Sequence, residues 1–199
     1  MNLPACLPRE NPFRSAKIEG LAFRGPSLET LFGRWEECGR RGALVGPCGT
    51  GKTTLLRAIT DRLLDDGVPV ESWAFFAGEP QPSAREIAER RDARAPGTVV
   101  IIDGAEQLSG WRRRRRFALN DRCVGGVWMT SHREGWLSTV HLHEPDLDTL
   151  VELVTELDPE LAEVPATRAR VSTLLDRHAG NAREVFYALY RTRAGLDAL

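Results

Sequence analysis

The chain has 199 residues, 42% of them apolar and 28% charged, with a formal net charge of −1. That leaves room for one α/β core and a small appendage, hardly for two full domains, and any affinity for nucleic acid must come from local clustering of charge. No apolar run approaches the ~20 residues that cross a bilayer.

Residues 1–26 carry four prolines and read as an irregular N-terminal leader. The opening Met1-Asn2-Leu3-Pro4 lacks the basic start and apolar core of a secretion signal. Cys6, Cys38, Cys48 and Cys123 are widely separated and show no metal-ligand spacing, so reduced thiols in a cytoplasmic protein are expected. Ser27 is a helix-capping type, and Leu28, Leu31, Phe32 and Trp35 then recur at helical spacing, which predicts a helix to about Cys38. A first strand is predicted over 41–45.

The next eight residues, Gly46, Pro47, Cys48, Gly49, Thr50, Gly51, Lys52 and Thr53, spell Gly-x-x-x-x-Gly-Lys-Thr. They lie between the apolar run Ala43-Leu44-Val45 and a helix-prone run that starts at Thr54, the strand–loop–helix setting this motif requires. Glycines let successive N–H groups turn inward around phosphates, and the helix N-terminus adds its positive end. Lys52 is expected to reach the β- and γ-phosphates of a nucleoside triphosphate, and Thr53 to ligate Mg²⁺. Cys48 sits inside the loop, where modification of its thiol would block nucleotide entry.

A helix over 53–65, a turn at Asp66-Gly67, a strand over 68–76, a loop over 78–83 and a charged helix over 84–94 follow. Pro96-Gly97 breaks that helix before Thr98-Val99-Val100-Ile101-Ile102, whose successive β-branched residues suggest a strand buried on both faces of a parallel sheet. Asp103 ends the strand. At the C-terminal edge of such a sheet it would sit beside the loop and orient Mg²⁺ through water. Gly104 comes next and has no carboxylate; Glu106 is the nearest one. Two readings stand for it: a group that polarises the attacking water, or a solvated loop residue.

A helix is predicted over 111–122, carrying Arg112, Arg113, Arg114, Arg115 and Arg116 between Trp111 and Phe117. Five successive cations cover every face of a helix. They read either as a solvated face or as a contact with nucleic-acid phosphates or an acidic protein; one arginine entering a neighbouring subunit's site is a third reading. Strands are predicted over 127–130 and 139–142. If the first of these neighbours Val99–Asp103, then Thr130, Ser131 and His132 lie where they can sense a γ-phosphate; otherwise they are capping hydroxyls and a surface histidine. From residue 146 the apolar spacing is helical throughout, so the domains are read as 1–26, 27–145 and 146–199.

Gly180-Asn181-Ala182-Arg183-Glu184 opens the last helix. Together with the phosphate loop and Asp103, it makes residues 27–195 resemble the AAA+ ATPases. The resemblance implies a three-layer P-loop NTPase with a mostly parallel five-stranded sheet and a small C-terminal helical lid, using ATP and Mg²⁺. It also implies that Arg183 contacts the γ-phosphate and couples phosphate state to the lid; on the alternative reading it is a solvated helix residue. Two departures stand out. Gly104 replaces the family's usual acid, and no arginine finger can be assigned, which leaves fast turnover and ring assembly open.

Met129 to Glu134 also looks like the switch histidine of ABC ATPases, and Leu108-Ser109-Gly110 like their signature. That signature falls after the acidic strand, however, where the ABC order requires it before. A small-molecule kinase would carry a shorter, arginine-bearing lid inserted within the sheet. The sequence therefore predicts an ATP-dependent switch acting on a protein or nucleic-acid partner, with slow hydrolysis; the alternative is a nucleotide-binding scaffold with little hydrolysis.

Overall fold

A computed structural model describes residues 6–108, 124–162 and 164–196. The predicted helix over 111–122, with its five arginines, lies outside the described residues, as do Ser109, Gly110 and Cys123. Contacts divide the chain into two units. One holds Gly25–Gly46 and Gly51–His143; the other holds Met1–Arg24, Pro47–Thr50 and Glu144–Leu199.

The first unit is built on a sheet of β1 (Arg41–Val45), β2 (Val70–Ala74), β3 (Val99–Asp103), β4 (Gly126–Ser131) and β5 (Ser138–Leu142). Their spatial order is β2-β3-β4-β1-β5, and every pairing is parallel. The expected fold class, a central sheet flanked by helices, is thus the one observed, with no antiparallel member among the described residues. Inserting β4 between β1 and β3 has a direct consequence: the C-terminal ends of these strands, Val45, Asp103 and Ser131, share one edge.

Alternation sorts the strand side chains. Ala43, Val45, Val100, Ile102, Val127 and Met129 build one buried cluster with Trp73, Phe75 and Ile87. Leu44, Ile101 and Trp128 point the other way, toward the side where α2 (Leu28–Glu37) and α3 (Lys52–Asp65) pack. Trp35 of α2 stacks on Trp128 with ring centroids 5.2 Å apart and donates its indole N–H to the Val127 carbonyl at 2.9 Å. Ser27 caps α2 as expected, its hydroxyl accepting from the Thr30 N–H; Ser83 does the same for α4 (Ala84–Asp92) through the Glu86 N–H. The strand predicted over 68–76 is shorter, since only Val70–Ala74 pair with β3.

In the second unit, α5 (Leu147–Leu157), α6 (Pro159–Ala162), α7 (Thr167–Arg177) and α8 (Ala182–Arg193) enclose a core of Leu150, Val154, Leu161, Val171, Val185, Phe186 and Leu189. The Arg193 guanidinium lies 2.9 Å from the buried Asp158 carboxylate and 3.0 Å from Glu160, tying the end of α8 to the start of α6. Burial pushes the Asp158 carboxyl above its ordinary range, against the pull of Arg193.

The leader departs from the irregular segment expected of it. It carries the short helix α1 (Ser15–Ile18), and Phe13 is 2% exposed, stacked on Phe186 at 6.4 Å within the helical core. Asn11, fully buried, donates to the Tyr190 carbonyl at 2.9 Å and accepts from the Phe13 N–H. One aromatic side chain and one satisfied amide fix where this segment docks.

Among the described residues no helix is long and apolar enough to cross a membrane. Because Phe13 completes the helical core, Phe13→Ala should cost about 3–5 kcal/mol, the usual range for such a truncation. Equilibrium urea unfolding checks this; a loss below about 0.5 kcal/mol, typical of surface changes, would mean that the leader adds nothing to that core.

Candidate nucleotide site

Gly51, with φ +89°, caps α3 without a side chain, so Lys52, Thr53 and Thr54 form its first turn. Lys52 is 8% exposed, and its Nζ donates to the Gly46 carbonyl at 2.7 Å, which folds the ammonium back over the loop. His143 lies buried against Gly46: a Cβ there would stand 2.4 Å from the His143 carbonyl oxygen, so this approach admits only glycine. His141 meets His143 edge-on at 4.5 Å, and burial, followed by the charge of Arg34, holds its imidazole below the ordinary value and so neutral at pH 7.

Asp103 is where the structure concentrates its polar contacts. Thr53 Oγ1 donates to Asp103 Oδ2 at 3.0 Å, and Thr130 Oγ1 donates to Asp103 Oδ1 at 2.6 Å. Thr130 in turn accepts from the Gly104 N–H at 2.8 Å. One carboxylate thus joins the first turn of α3, the tip of β3 and the end of β4. The register explains the alignment: Ile102 pairs with Met129, so Asp103 and Thr130 come level at the next position.

Gly104 explains why the acid is missing beside Asp103. Its φ is +76°, and a Cβ would meet the Phe75 carbonyl oxygen at 2.3 Å. A glutamate there would need both a left-handed backbone and a displaced β2. Glu106 lies instead in a 3₁₀ turn over Ala105–Gln107, with Oε1 3.2 Å from His132 Nε2. Its Oε2 is buried without a hydrogen-bond partner among the described residues.

The three residues expected to act together at the end of β4 have separate partners. Thr130 and Ser131 are each 1% exposed. The Thr130 hydroxyl is committed to Asp103 and Gly104, and that of Ser131 to the backbone of Arg133, donating to its carbonyl at 2.8 Å and accepting from its N–H. His132 faces Glu106.

The loop apex Pro47–Thr50 belongs to the helical unit. Within that unit a Cβ on Gly49 would meet Asn181 Oδ1 at 1.9 Å and the Arg183 N at 3.1 Å. Asn181 caps α8, its Oδ1 accepting from the N–H groups of Arg183 and Glu184. The backbone of Arg183 therefore lies at the apex, while its side chain is exposed. Thr50 donates to the Pro47 carbonyl at 3.0 Å, and Cys48 is an exposed free thiol. Asn181 and His143 escaped the sequence reading; an asparagine directly before a helix is a capping signal that pointed to the first, and nothing pointed to the second.

These groups fit a nucleotide with magnesium. Thr53 Oγ1 and Asp103 Oδ2 are adjacent hard oxygen donors. Among the described residues no cluster of three or more His, Cys, Asp or Glu could hold a metal. Few protein ligands are what Mg²⁺ accepts, since it keeps several waters and takes phosphate oxygens as well.

The family model described as "ATPase family associated with various cellular activities (AAA)" matches residues 43–121. Two RuvB variants from Thermotoga maritima share the fold with TM-scores of 0.53, at 18% and 16% identity over 82% and 83% of this chain, and 59% and 61% of theirs. A closed-state reconstruction of Hsp104 with ATPγS and casein gives 0.59 at 16% identity, over 93% of this chain and 41% of that one. The chain thus spans about three fifths of the RuvB chains and two fifths of the Hsp104 chain. No curated protein sequence matches it. The chain shares the fold of these proteins, and its segment from residue 43 to 121 matches the AAA family model.

Thr130→Val keeps the volume and removes the hydroxyl. It leaves the Gly104 N–H and one Asp103 oxygen without a partner, so stability should fall by about 1–3 kcal/mol. Thermal unfolding measures this; an unchanged midpoint would show that the Thr130 bridge does not hold Asp103 in solution.

Proposed function

We propose that this chain is an ATP-dependent switch that binds ATP with Mg²⁺, hydrolyses it slowly and acts on a protein or nucleic-acid partner. The observation that carries the reading is the 3.0 Å hydrogen bond from Thr53 to Asp103, which joins the phosphate loop to the acidic strand tip. Backbone N–H groups of Gly49, Thr50, Gly51 and Lys52, with the N-terminus of α3, cradle the β-phosphate. Lys52 releases the Gly46 carbonyl for the β- and γ-phosphates. Thr53 would ligate Mg²⁺ and Asp103 would orient it through water; the ion would neutralise charge on the phosphate oxygens.

Glu106 polarises the attacking water. His132, 3.2 Å away, holds that carboxylate and so makes its release a condition for turnover. Displacement of the acid from position 104 onto the 3₁₀ turn favours slow hydrolysis. Arg183 follows the γ-phosphate, and the helical lid responds to its presence. Slow turnover with a responsive lid suits a switch better than a motor. Arg112, Arg113, Arg114, Arg115 and Arg116 supply the charge for a polyanionic partner, whether nucleic acid or an acidic protein. Oligomerisation and a cytoplasmic location belong to the same proposal.

A second reading is a scaffold that retains ATP with little hydrolysis; the absence of a carboxylate at Gly104 favours it. Phosphate release decides between them. In the switch, steady release is expected and disappears in Lys52→Ala, which also loses ATP binding; unchanged ATP affinity in that variant would end the site assignment. Glu106→Gln should slow release by about 10²-fold or more, the scale of a general base, with binding spared. An unaltered rate would remove Glu106 from the mechanism, and tight retention without release in the unsubstituted protein would favour the scaffold.

A further inference from the structure

β2 is an edge strand, and a groove of about 370 Å³ runs beside it. The groove is lined by Ser72, Ala74, Phe76, Glu79, Gln81 and Arg90, among others. It takes residues from both faces of the strand and therefore follows the strand's edge.

Pairing with β3 sets the backbone polarity of that edge. The Phe75 N–H donates to the Asp103 carbonyl, and the Pro69 carbonyl accepts from the Val99 N–H. Odd-numbered positions therefore face β3. In a parallel strand both polar groups of a residue point the same way, so the N–H and C=O of Ser72 and Ala74 face outward. No described residue pairs with them. Both side chains are small and exposed, which permits close approach of another backbone. Proteins ordinarily protect such an edge with proline, bulges or charge, and Ser72 and Ala74 supply none of these.

Charge identifies the occupant. Glu71 is engaged by Arg94 at 2.6 Å, and Glu86 faces Arg90 at 3.7 Å. Glu79 is exposed and has no partner among the described residues. Beside it Phe76 is 59% exposed. The groove already accepts one guanidinium on an aromatic face, with Arg90 4.2 Å from the Trp73 ring centre. A second cation laid along Phe76 would bring its charge toward Glu79.

We infer that the free edge of β2 binds an extended peptide segment as an added parallel or antiparallel strand, with an arginine or lysine of that segment placed between Phe76 and Glu79. Main-chain hydrogen bonds to Ser72 and Ala74 supply affinity, and the cation supplies selectivity.

The test is fluorescence anisotropy with the full chain and a short labelled peptide alternating valine and threonine around a central arginine. Saturable binding is expected, weakened about tenfold by Ala74→Pro, which deletes an outward N–H without touching the pairing to β3. Glu79→Lys should weaken the arginine peptide about threefold and strengthen a glutamate-centred one. Methylating alternate backbone nitrogens of the peptide on the pairing edge should abolish binding to the unsubstituted protein, a readout that does not depend on how any variant folds. Absence of binding, or binding indifferent to Ala74→Pro and to methylation, overturns the inference. So does self-association that Ala74→Pro removes while the peptide fails to bind, because the edge would then serve a second copy of the chain.

Discussion

Asp103 accepts two hydroxyl hydrogen bonds at once, one from the start of α3 and one from the end of β4, and the rest of the site depends on that carboxylate being held. The order β2-β3-β4-β1-β5 makes this possible. Without β4 between them, β1 and β3 would be neighbours and no threonine would approach Asp103 from the far side. Both donors reach the carboxylate as charge-assisted hydrogen bonds, roughly twice as strong as neutral ones. Thr130 also satisfies the Gly104 N–H, so the chain's exit from β3 is fixed by the same hydroxyl.

That exit sets the chemistry available beyond Asp103. Gly104 turns the chain through a left-handed conformation against the Phe75 carbonyl. The space in which a second acid would stand is taken by backbone, and the nearest carboxylate moves onto the following turn beside His132. In the proposed switch this arrangement separates tight binding from rapid turnover. There the water-polarising group would be Glu106, which His132 engages and would have to let go.

Local chemistry made much of this legible in the sequence. Gly-Lys-Thr after an apolar run and four β-branched residues before an aspartate are dictated by contacts a few residues apart, and Ser27 is read as a cap for the same reason. What stayed hidden depended on distant partners. The burial of Phe13 needs Phe186, which no spacing rule connects to a proline-rich leader. The commitment of Thr130 to Asp103 follows from strand register, which a single sequence does not print. Gly104 could be seen as a missing acid, but its steric reason required the position of Phe75. Asn181 was legible as a cap; its approach to Gly49 was not.

The central claim is that Thr53 and Asp103 hold magnesium against a bound triphosphate. Affinity for ATPγS, measured by calorimetry with Mg²⁺ and then with EDTA, tests it most directly when the protein is compared with Asp103→Asn. The account requires binding to tighten with Mg²⁺ in the unsubstituted protein and most of that gain to vanish in the variant. An equal gain in both would contradict it, because the metal would then be held without the strand-tip carboxylate.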